Sequence, residues 1–108
     1  MKVVIPIIEN SLQSKISLRF ARSKYFAIID KEKSKYKIIA NDQLKKEDCI
    51  GKDLLDMLCN EHHVNTLFAY ELGLNIQQIA AERRIQLLIL NEKHKTLKEL
   101  LLMMNITI

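Results

Sequence analysis

The chain has 108 residues, of which 48% are hydrophobic and 28% charged, and its formal net charge at pH 7 is +4. This length fits one domain over residues 1–108, and the composition excludes disordered and collagen-like classes of protein. Only two glycines and one proline are present, which excludes the glycine-rich loops that hold nucleotide phosphates.

The first part of the chain predicts three strands. Residues 3–8 form a continuous apolar run rich in β-branched side chains, which is typical of a strand buried on both faces. Pro6 in this run suggests an edge, a bulge or a turn near the strand's end, because proline donates no ladder hydrogen bond. Two further β-rich runs at 25–29 and 36–40 flank a polar connection, which predicts a hairpin.

The second part predicts helices that alternate with short strands. Apolar residues recur at spacings near 3.6 in each helix, and the runs between them are short and β-rich. The predicted elements are a helix from Cys49 to about Cys59, a strand at 66–70, a helix from Leu72 to about Glu82, a strand at 86–90 and a helix that begins at Thr96. For the second helix the alternative is that Gly73 lies in the turn that opens it. The order β-β-β-α-β-α-β-α predicts a three-layer α/β domain, with a mixed five-stranded sheet and helices on its faces.

The net charge and the targeting signals indicate the partners and the compartment to expect. Lys and Arg exceed Asp and Glu by 17 to 13, which fits either a surface for a polyanion or a solvated, lysine-rich surface. The scattered lysines favour the second interpretation, and six tyrosines and phenylalanines supply few stacking platforms for a weak nucleic-acid binder. No leader or membrane-spanning run is evident, so a reduced cytoplasm is expected.

Catalytic chemistry has little support in the residues. Two-metal nuclease chemistry needs carboxylates on the first strand, which has none. His62, His63 and His94 are interpreted as surface histidines rather than metal ligands, because adjacent histidines on a helix project about 100° apart. No serine, cysteine or lysine has a recognisable catalytic partner, and we therefore predict that the protein is not an enzyme.

The segment from Ser14 to Arg22 is the most informative stretch. It carries Lys15, Arg19 and Arg22 between two buried strands, at a sheet edge where open α/β folds bind ligands. These donors suit an anion, but they are equally those of a solvated basic loop around an anchoring Phe20. Cys49, in the predicted first helical turn, is either a thiolate that ligates a soft metal or a small packed hydrophobe.

Several stretches together carry a family resemblance: Met1–Pro6, Glu9–Asn10, Ser14–Ser17, Phe20, Arg22 and Tyr25–Asp30. They resemble the dinitrogenase iron-molybdenum cofactor biosynthesis family, whose NifX-type domain is also found attached to NifB. The resemblance implies a ribonuclease H-like three-layer fold without nuclease activity. It further implies a non-enzymatic carrier in nitrogen fixation that binds iron-sulfur or iron-molybdenum cluster precursors and contacts cluster-assembly proteins.

The resemblance also implies a site. The family motif Ser-x-His-Phe-Gly-Arg falls on Ser17 to Arg22, with Arg19 in place of the histidine and Ala21 in place of the glycine. Arginine has no lone pair for a metal, but it can hold an anionic cluster or a carboxylate through charge-assisted hydrogen bonds. The expected cofactor-binding residues are Asn10, Ser17, Arg19, Phe20, Arg22, Gly51 and Lys52, with Cys49 as the metal ligand.

Three functions follow as hypotheses, the third of which is the weak nucleic-acid binding that the basic balance suggests. The first is a carrier of an anionic metal cluster, held between the loop at Ser17 to Arg22 and the helix start at Cys49 to Lys52. The alternative is a degenerate family member that binds no cofactor and serves as a protein-interaction module, with which a homodimer is compatible. The replaced histidine motivates the alternative.

Overall fold

The computed structural model describes residues 1–45, 50–90 and 95–106. It contains five strands and three α-helices within these ranges, together with a short 3₁₀ helix at Asp42–Lys45. The elements in chain order are β1 (Lys2–Ile7), β2 (Tyr25–Asp30), β3 (Lys35–Ala40), α1 (Ile50–His62), β4 (Thr66–Ala69), α2 (Leu74–Glu82), β5 (Gln86–Ile89) and α3 (Leu97–Met103).

The strands form one mixed sheet in the order β3-β2-β1-β4-β5. β1 pairs antiparallel with β2, and β2 pairs antiparallel with β3 as the predicted hairpin. β4 and β5 join in parallel through the helical connections, as strand-helix-strand units do. The predicted mixed five-stranded α/β architecture is therefore confirmed, while the ribonuclease H-like designation stays a prediction.

Helices cover both faces of the sheet. Val4, Phe26 and Ile28 on one face pack with buried residues of α1 and α2. Val3 and Ile5 on the other face pack with buried residues of α3. β1 lies at the centre and is buried on both sides, which explains its continuous apolar sequence.

Pro6 lies in this central strand, next to its last residue. β4 pairs with β1 only at Val3 and Val4, so the parallel ladder has ended before Pro6. The Pro6 carbonyl accepts a hydrogen bond from the Ser17 backbone N–H at 2.8 Å, and Ile7 forms an isolated bridge to Ile16. The missing proline N–H therefore falls where β1 has passed its parallel partner, near the strand's end.

The helix ends differ from the predicted ones. α1 continues to His62, where His63 adopts a positive φ of 57° and the Val64 N–H reaches the Leu58 carbonyl at 3.1 Å. α2 begins at Leu74 rather than Leu72, because Gly73 is its extended N-cap. Apolar periodicity locates a helix but does not mark such caps. Among the described helices, none is long and apolar enough to cross a membrane.

Candidate anion-binding groove

A groove of about 460 Å³ opens at the end of the sheet where β1 and β4 terminate. Its walls come from the loop between β1 and β2, the start of α1, and the turn that joins β4 to α2. The lining residues are Leu18, Arg19, Phe20, Ala21, Arg22, Gly51, Glu71, Leu72, Gly73, Asn75 and Ile76.

The structure brings together half of the residues expected from the sequence. Those that line the groove are Arg19, Phe20, Arg22 and Gly51. Ser17 stands beside the groove and contacts Arg19, whereas Asn10 and Lys52 are exposed outside the lining. Cys49 lies outside the described residues, as does His94.

Asn10 is separated from the groove by the way its turn is held. The buried Ser14 hydroxyl accepts hydrogen bonds from the backbone N–H groups of Ile8 at 3.0 Å and Glu9 at 2.9 Å. It donates to the Lys15 carbonyl at 2.9 Å. Ser14 is thus the internal support of this turn, and exposed Asn10 belongs to its outer surface.

The arginine loop, residues 18–24, is anchored from beneath. Phe20 is only 2% exposed, and its ring centroid lies 5.3 Å from that of Phe26 in the core. The Ser23 hydroxyl is within hydrogen-bond distance of the Ile7 carbonyl at 2.7 Å and the Tyr25 carbonyl at 2.8 Å. Phe20 therefore serves the core as well as the groove, which restricts the backbone between the two arginines.

Both arginines carry their charge at the groove surface. Arg19 and Arg22 are exposed, and within the described part of the chain neither forms an ion pair. The Ser17 hydroxyl donates to the Arg19 carbonyl at 3.1 Å and so fixes only its backbone. Glu71 is the single carboxylate of the lining, so the lining has an excess of one positive charge.

The facing wall includes the N-terminus of α2. Gly73 caps this helix without a side chain, and no described group accepts from the backbone N–H of Leu74, Asn75 or Ile76. Unpaired N–H groups at a helix start, together with the helix dipole, favour an anion.

The start of α3 shows the opposite arrangement. Its Leu97 and Lys98 N–H groups donate to the Ser14 and Leu12 carbonyls at 2.8 and 2.9 Å. The Glu99 N–H donates to the Thr96 hydroxyl at 3.2 Å in a capping box. The first turn of α3 is therefore fully paired, whereas that of α2 is left open beside the groove.

The two glycines have different roles at the groove. A Cβ on Gly51 would lie 3.0 Å from Ile76 Cγ1, so glycine allows α1 and α2 to approach closely. Gly73 has a φ of −63° and a ψ of 153°, and a Cβ there would meet nothing within 4 Å. Neither backbone strain nor packing requires glycine at position 73. Its effect is to leave the α2 terminus bare.

The lining offers little for direct metal ligation. It contains no histidine or cysteine, and the described residues include no group of three or more His, Cys, Asp or Glu side chains that could hold an ion. Arg19, at the position of the family histidine, cannot ligate a metal because it has no free lone pair. The groove therefore suits an intact anion better than a bare metal ion.

A second cavity, of about 340 Å³, lies at the opposite end of the sheet and is called here the lysine cleft. It is lined by Lys2, Ile28, Asp30, Lys35, Tyr36, Lys37, Glu61, His62 and His63. Nδ1 of His62 is buried without a hydrogen-bond partner among the described residues. Burial, and after it the nearby Lys37 ammonium, lowers the pKa of His62 below its ordinary value, so this imidazole is neutral at pH 7.

Sequence reasoning missed one wall of the groove and one of its supports. The wall is the turn at 71–76, to which the sequence assigned no binding role. The support is Asn41, which is 6% exposed and donates to the Ala21 and Ser23 carbonyls. A single asparagine after a strand has no distinctive sequence signal, although a buried one needs partners.

The fold and the groove define a small mixed-sheet α/β domain with a ligand-sized groove at one end of its sheet. Residues 1–105 match the family described as dinitrogenase iron-molybdenum cofactor, and the chain belongs to this family. The resemblance read from the first thirty residues is thereby confirmed. The family is one of cofactor-biosynthesis and carrier domains.

Solved structures share the fold. The chain resembles PH0822 at 17% identity, with a TM-score of 0.77 over 97% of this chain and 91% of the other. It resembles the apo form of the orange protein from Desulfovibrio gigas at 14% identity, with a TM-score of 0.81 over 94% and 83%. A putative NifB protein from Thermotoga is 25% identical, with a TM-score of 0.67 over 91% and 81%. No curated protein matches the chain.

Proposed function

We propose that the protein is a non-enzymatic carrier that binds an anionic metal-sulfur cluster, or its precursor, in the groove. Arg19 and Arg22 hold the cluster from one side, and the free N–H groups at the start of α2 hold it from the other. The cluster is cargo, bound as an intact anion.

The observation that carries this proposal is that two arginines without a described ion pair lie across one groove from a helix N-terminus whose first N–H groups have no described acceptor. Each feature alone favours negative charge, and both face a space large enough for a small cluster. The family to which the chain belongs supplies the class of cargo, because its description names the iron-molybdenum cofactor.

The rest of the lining suits metal-sulfur anions. Such anions spread their charge over large sulfur atoms that are weakly hydrated compared with phosphate oxygens. A guanidinium is likewise delocalised and weakly hydrated, and the groove adds apolar contact from Phe20, Leu72 and Ile76. Cys49, two residues before Gly51, is proposed as the one direct metal ligand.

Anaerobic reconstitution tests the proposal. The protein is incubated with iron, molybdate and sulfide, separated by gel filtration, and analysed for absorbance and metal content. A parallel titration uses tetrathiomolybdate, a soluble dianion whose visible absorbance responds to binding. We expect a coloured protein that retains metal and binds the dianion. A colourless, metal-free protein that leaves the tetrathiomolybdate spectrum unchanged would sink the proposal.

Two variants assign the contacts. Cys49→Ser tests direct ligation, because reconstituted metal is lost in this variant only if the thiolate binds it. Arg19→Gln with Arg22→Gln tests the anion contacts, because it removes both charges but keeps side-chain size. If Cys49→Ser retains its cluster, the cysteine assignment is wrong while the groove assignment stands.

A protein-interaction module is the second candidate function. It is supported by two leucines at the groove edge: Leu18 is 54% exposed and Leu74 is 76% exposed. Exposed apolar side chains beside a cavity are typical of surfaces that contact another molecule. This candidate requires that reconstitution fails and that Leu18→Ser with Leu74→Ser changes the sedimentation or partner binding of the protein without changing its melting temperature.

A further inference from the structure

Asn41 is a buried side chain whose amide is hydrogen-bonded at both its nitrogen and its oxygen beneath the arginine loop. It is the first residue after β3, and its backbone N–H donates to the Lys24 carbonyl at 2.9 Å. Its side-chain Nδ2 donates to the Ala21 carbonyl at 3.0 Å and the Ser23 carbonyl at 2.8 Å. Its Oδ1 accepts from the Gln43 N–H at 3.0 Å. One amide thus uses two donors and one acceptor at once.

The two carbonyls that Asn41 binds belong to the residues on either side of Arg22. The backbone is therefore held just before and just after this arginine, by a side chain that is itself buried. Arg19 has no comparable support, since the described hydrogen bonds of its backbone carbonyl and N–H are both with the hydroxyl of half-buried Ser17, at 3.1 and 3.4 Å. The two arginines of the groove are thus fixed to different degrees.

We infer that Asn41 is a positioning residue that preorganises Arg22, and not Arg19, for anion binding. This inference rests on the proposed function of the groove. A charged side chain whose backbone is already fixed loses less conformational freedom when it binds, so Arg22 provides the larger share of the affinity. Arg19 must become ordered on binding.

The chemistry at position 41 admits few substitutes. Aspartate has no N–H donor and would set a negative charge against two carbonyl oxygens. Serine has one donor, which cannot serve the Ala21 and Ser23 carbonyls together, although its oxygen can still accept from the Gln43 N–H. Asn41→Ser therefore releases the arginine loop while it keeps the acceptor for the 3₁₀ helix.

A double-mutant cycle with tetrathiomolybdate tests the inference. Arg22→Gln is expected to weaken binding about tenfold in the parent protein, but by much less in the Asn41→Ser background. Arg19→Gln is expected to weaken binding by less than tenfold, and by equal amounts in the parent and in Asn41→Ser. Asn60→Ser, a change at an exposed position on α1, is the matched control and leaves the affinity unchanged.

Two results overturn the inference. One is an affinity in folded Asn41→Ser equal to that of the parent, which would reduce Asn41 to a structural residue. The other is an Arg22→Gln effect that is the same in both backgrounds. Asn41→Asp serves as a second variant if Asn41→Ser does not fold.

A separate measurement keeps the inference testable if the groove binds no anion. ¹⁵N relaxation of the arginine Nε–Hε groups reports side-chain mobility directly. Asn41→Ser is expected to raise the mobility of Arg22 and to leave that of Arg19 unchanged. An unchanged Arg22 refutes the positioning role, whereas a mobile Arg22 in a protein that binds no dianion refutes only the proposed function.

Discussion

The two ends of the sheet carry the same formal charge but differ in what they can bind. The groove has two arginines and Glu71, and the lysine cleft has three lysines with Asp30 and Glu61, so each lining has an excess of one positive charge when the histidines are neutral. The groove lies at the N-terminus of α2, which favours anions. The cleft lies at the C-terminus of α1, which disfavours them.

The two ends differ in where their positive charges stand rather than in how many they carry. Arg22 stands on a loop held by a buried amide, whereas Lys35 and Lys37 stand on an exposed edge strand. Lysines on an edge strand also have another role, because they discourage pairing with a second chain. The net charge of the whole protein does not indicate which end of the sheet favours an anion.

Removal of the charge from each end gives the largest expected contrast. Arg19→Gln with Arg22→Gln is expected to weaken tetrathiomolybdate binding about 30-fold, because two charge-assisted contacts are lost and Arg22 provides the larger share. Lys35→Gln with Lys37→Gln removes the same charge from the cleft and is expected to change affinity less than about threefold at physiological salt. Absorbance titrations measure both. Equal losses in the two double variants would show that only net charge matters.

The close approach of α1 and α2 gives the next effect. Gly51→Val is expected to destabilise the protein by about 1–3 kcal/mol, because its side chain would overlap Ile76. Gly73→Ala adds a Cβ where nothing lies within 4 Å, and its cost is expected to be a few tenths of a kcal/mol at most. Urea unfolding compares the two. A similar cost at both glycines would contradict the packing described at Gly51.

A side-chain cap at the start of α2 tests whether the N–H groups of this helix contribute to anion binding. Gly73→Ser supplies a hydroxyl for the free N–H groups and is expected to raise stability by a few tenths of a kcal/mol. The same hydroxyl competes with an anion, so affinity for tetrathiomolybdate is expected to fall about threefold. Gly73→Ala is the control without an acceptor. An affinity that falls equally in Gly73→Ala would point to bulk rather than to the N–H groups.

The smallest effect concerns His62 in the lysine cleft. Its pKa is lower in the folded protein than in the unfolded chain, so the unfolded chain binds the proton more tightly. This contribution to stability is present above about pH 6.5 and is lost as the pH falls through the folded pKa. Melting temperatures between pH 7.5 and 5 are expected to fall less steeply in His62→Gln than in the parent. His63→Gln is the matched control, and an equal change in both variants would contradict the assignment.

The sequence was sufficient for the sheet and for one wall of the groove. Buried strands and amphipathic helices repeat their apolar residues at fixed spacings, so their order could be predicted from the pattern alone. The loop at Ser17 to Arg22 was visible because its basic residues are contiguous.

The other wall could not be predicted in this way. The turn at 71–76 reaches the arginine loop only because β4 pairs with β1, and its glycine, leucine and asparagine residues carry no chemical signature. Asn10 and Lys52 were expected from the family resemblance, but the supported turn and the exposed position on α1 place them outside the groove lining. Which residues reach the groove depends on the pairing of strands that are distant in the sequence.

The bonds at the start of α3 have a consequence for the order of folding. The Leu97 N–H is bound by the Ser14 carbonyl, and Lys15 bridges to Thr96, so the segment that leads into the arginine loop is joined to the far end of the chain. Contacts between such distant residues close late, because a long stretch of chain must first be ordered. We therefore expect the groove to form after the sheet during folding, once α3 has packed against the segment at Leu12 to Lys15.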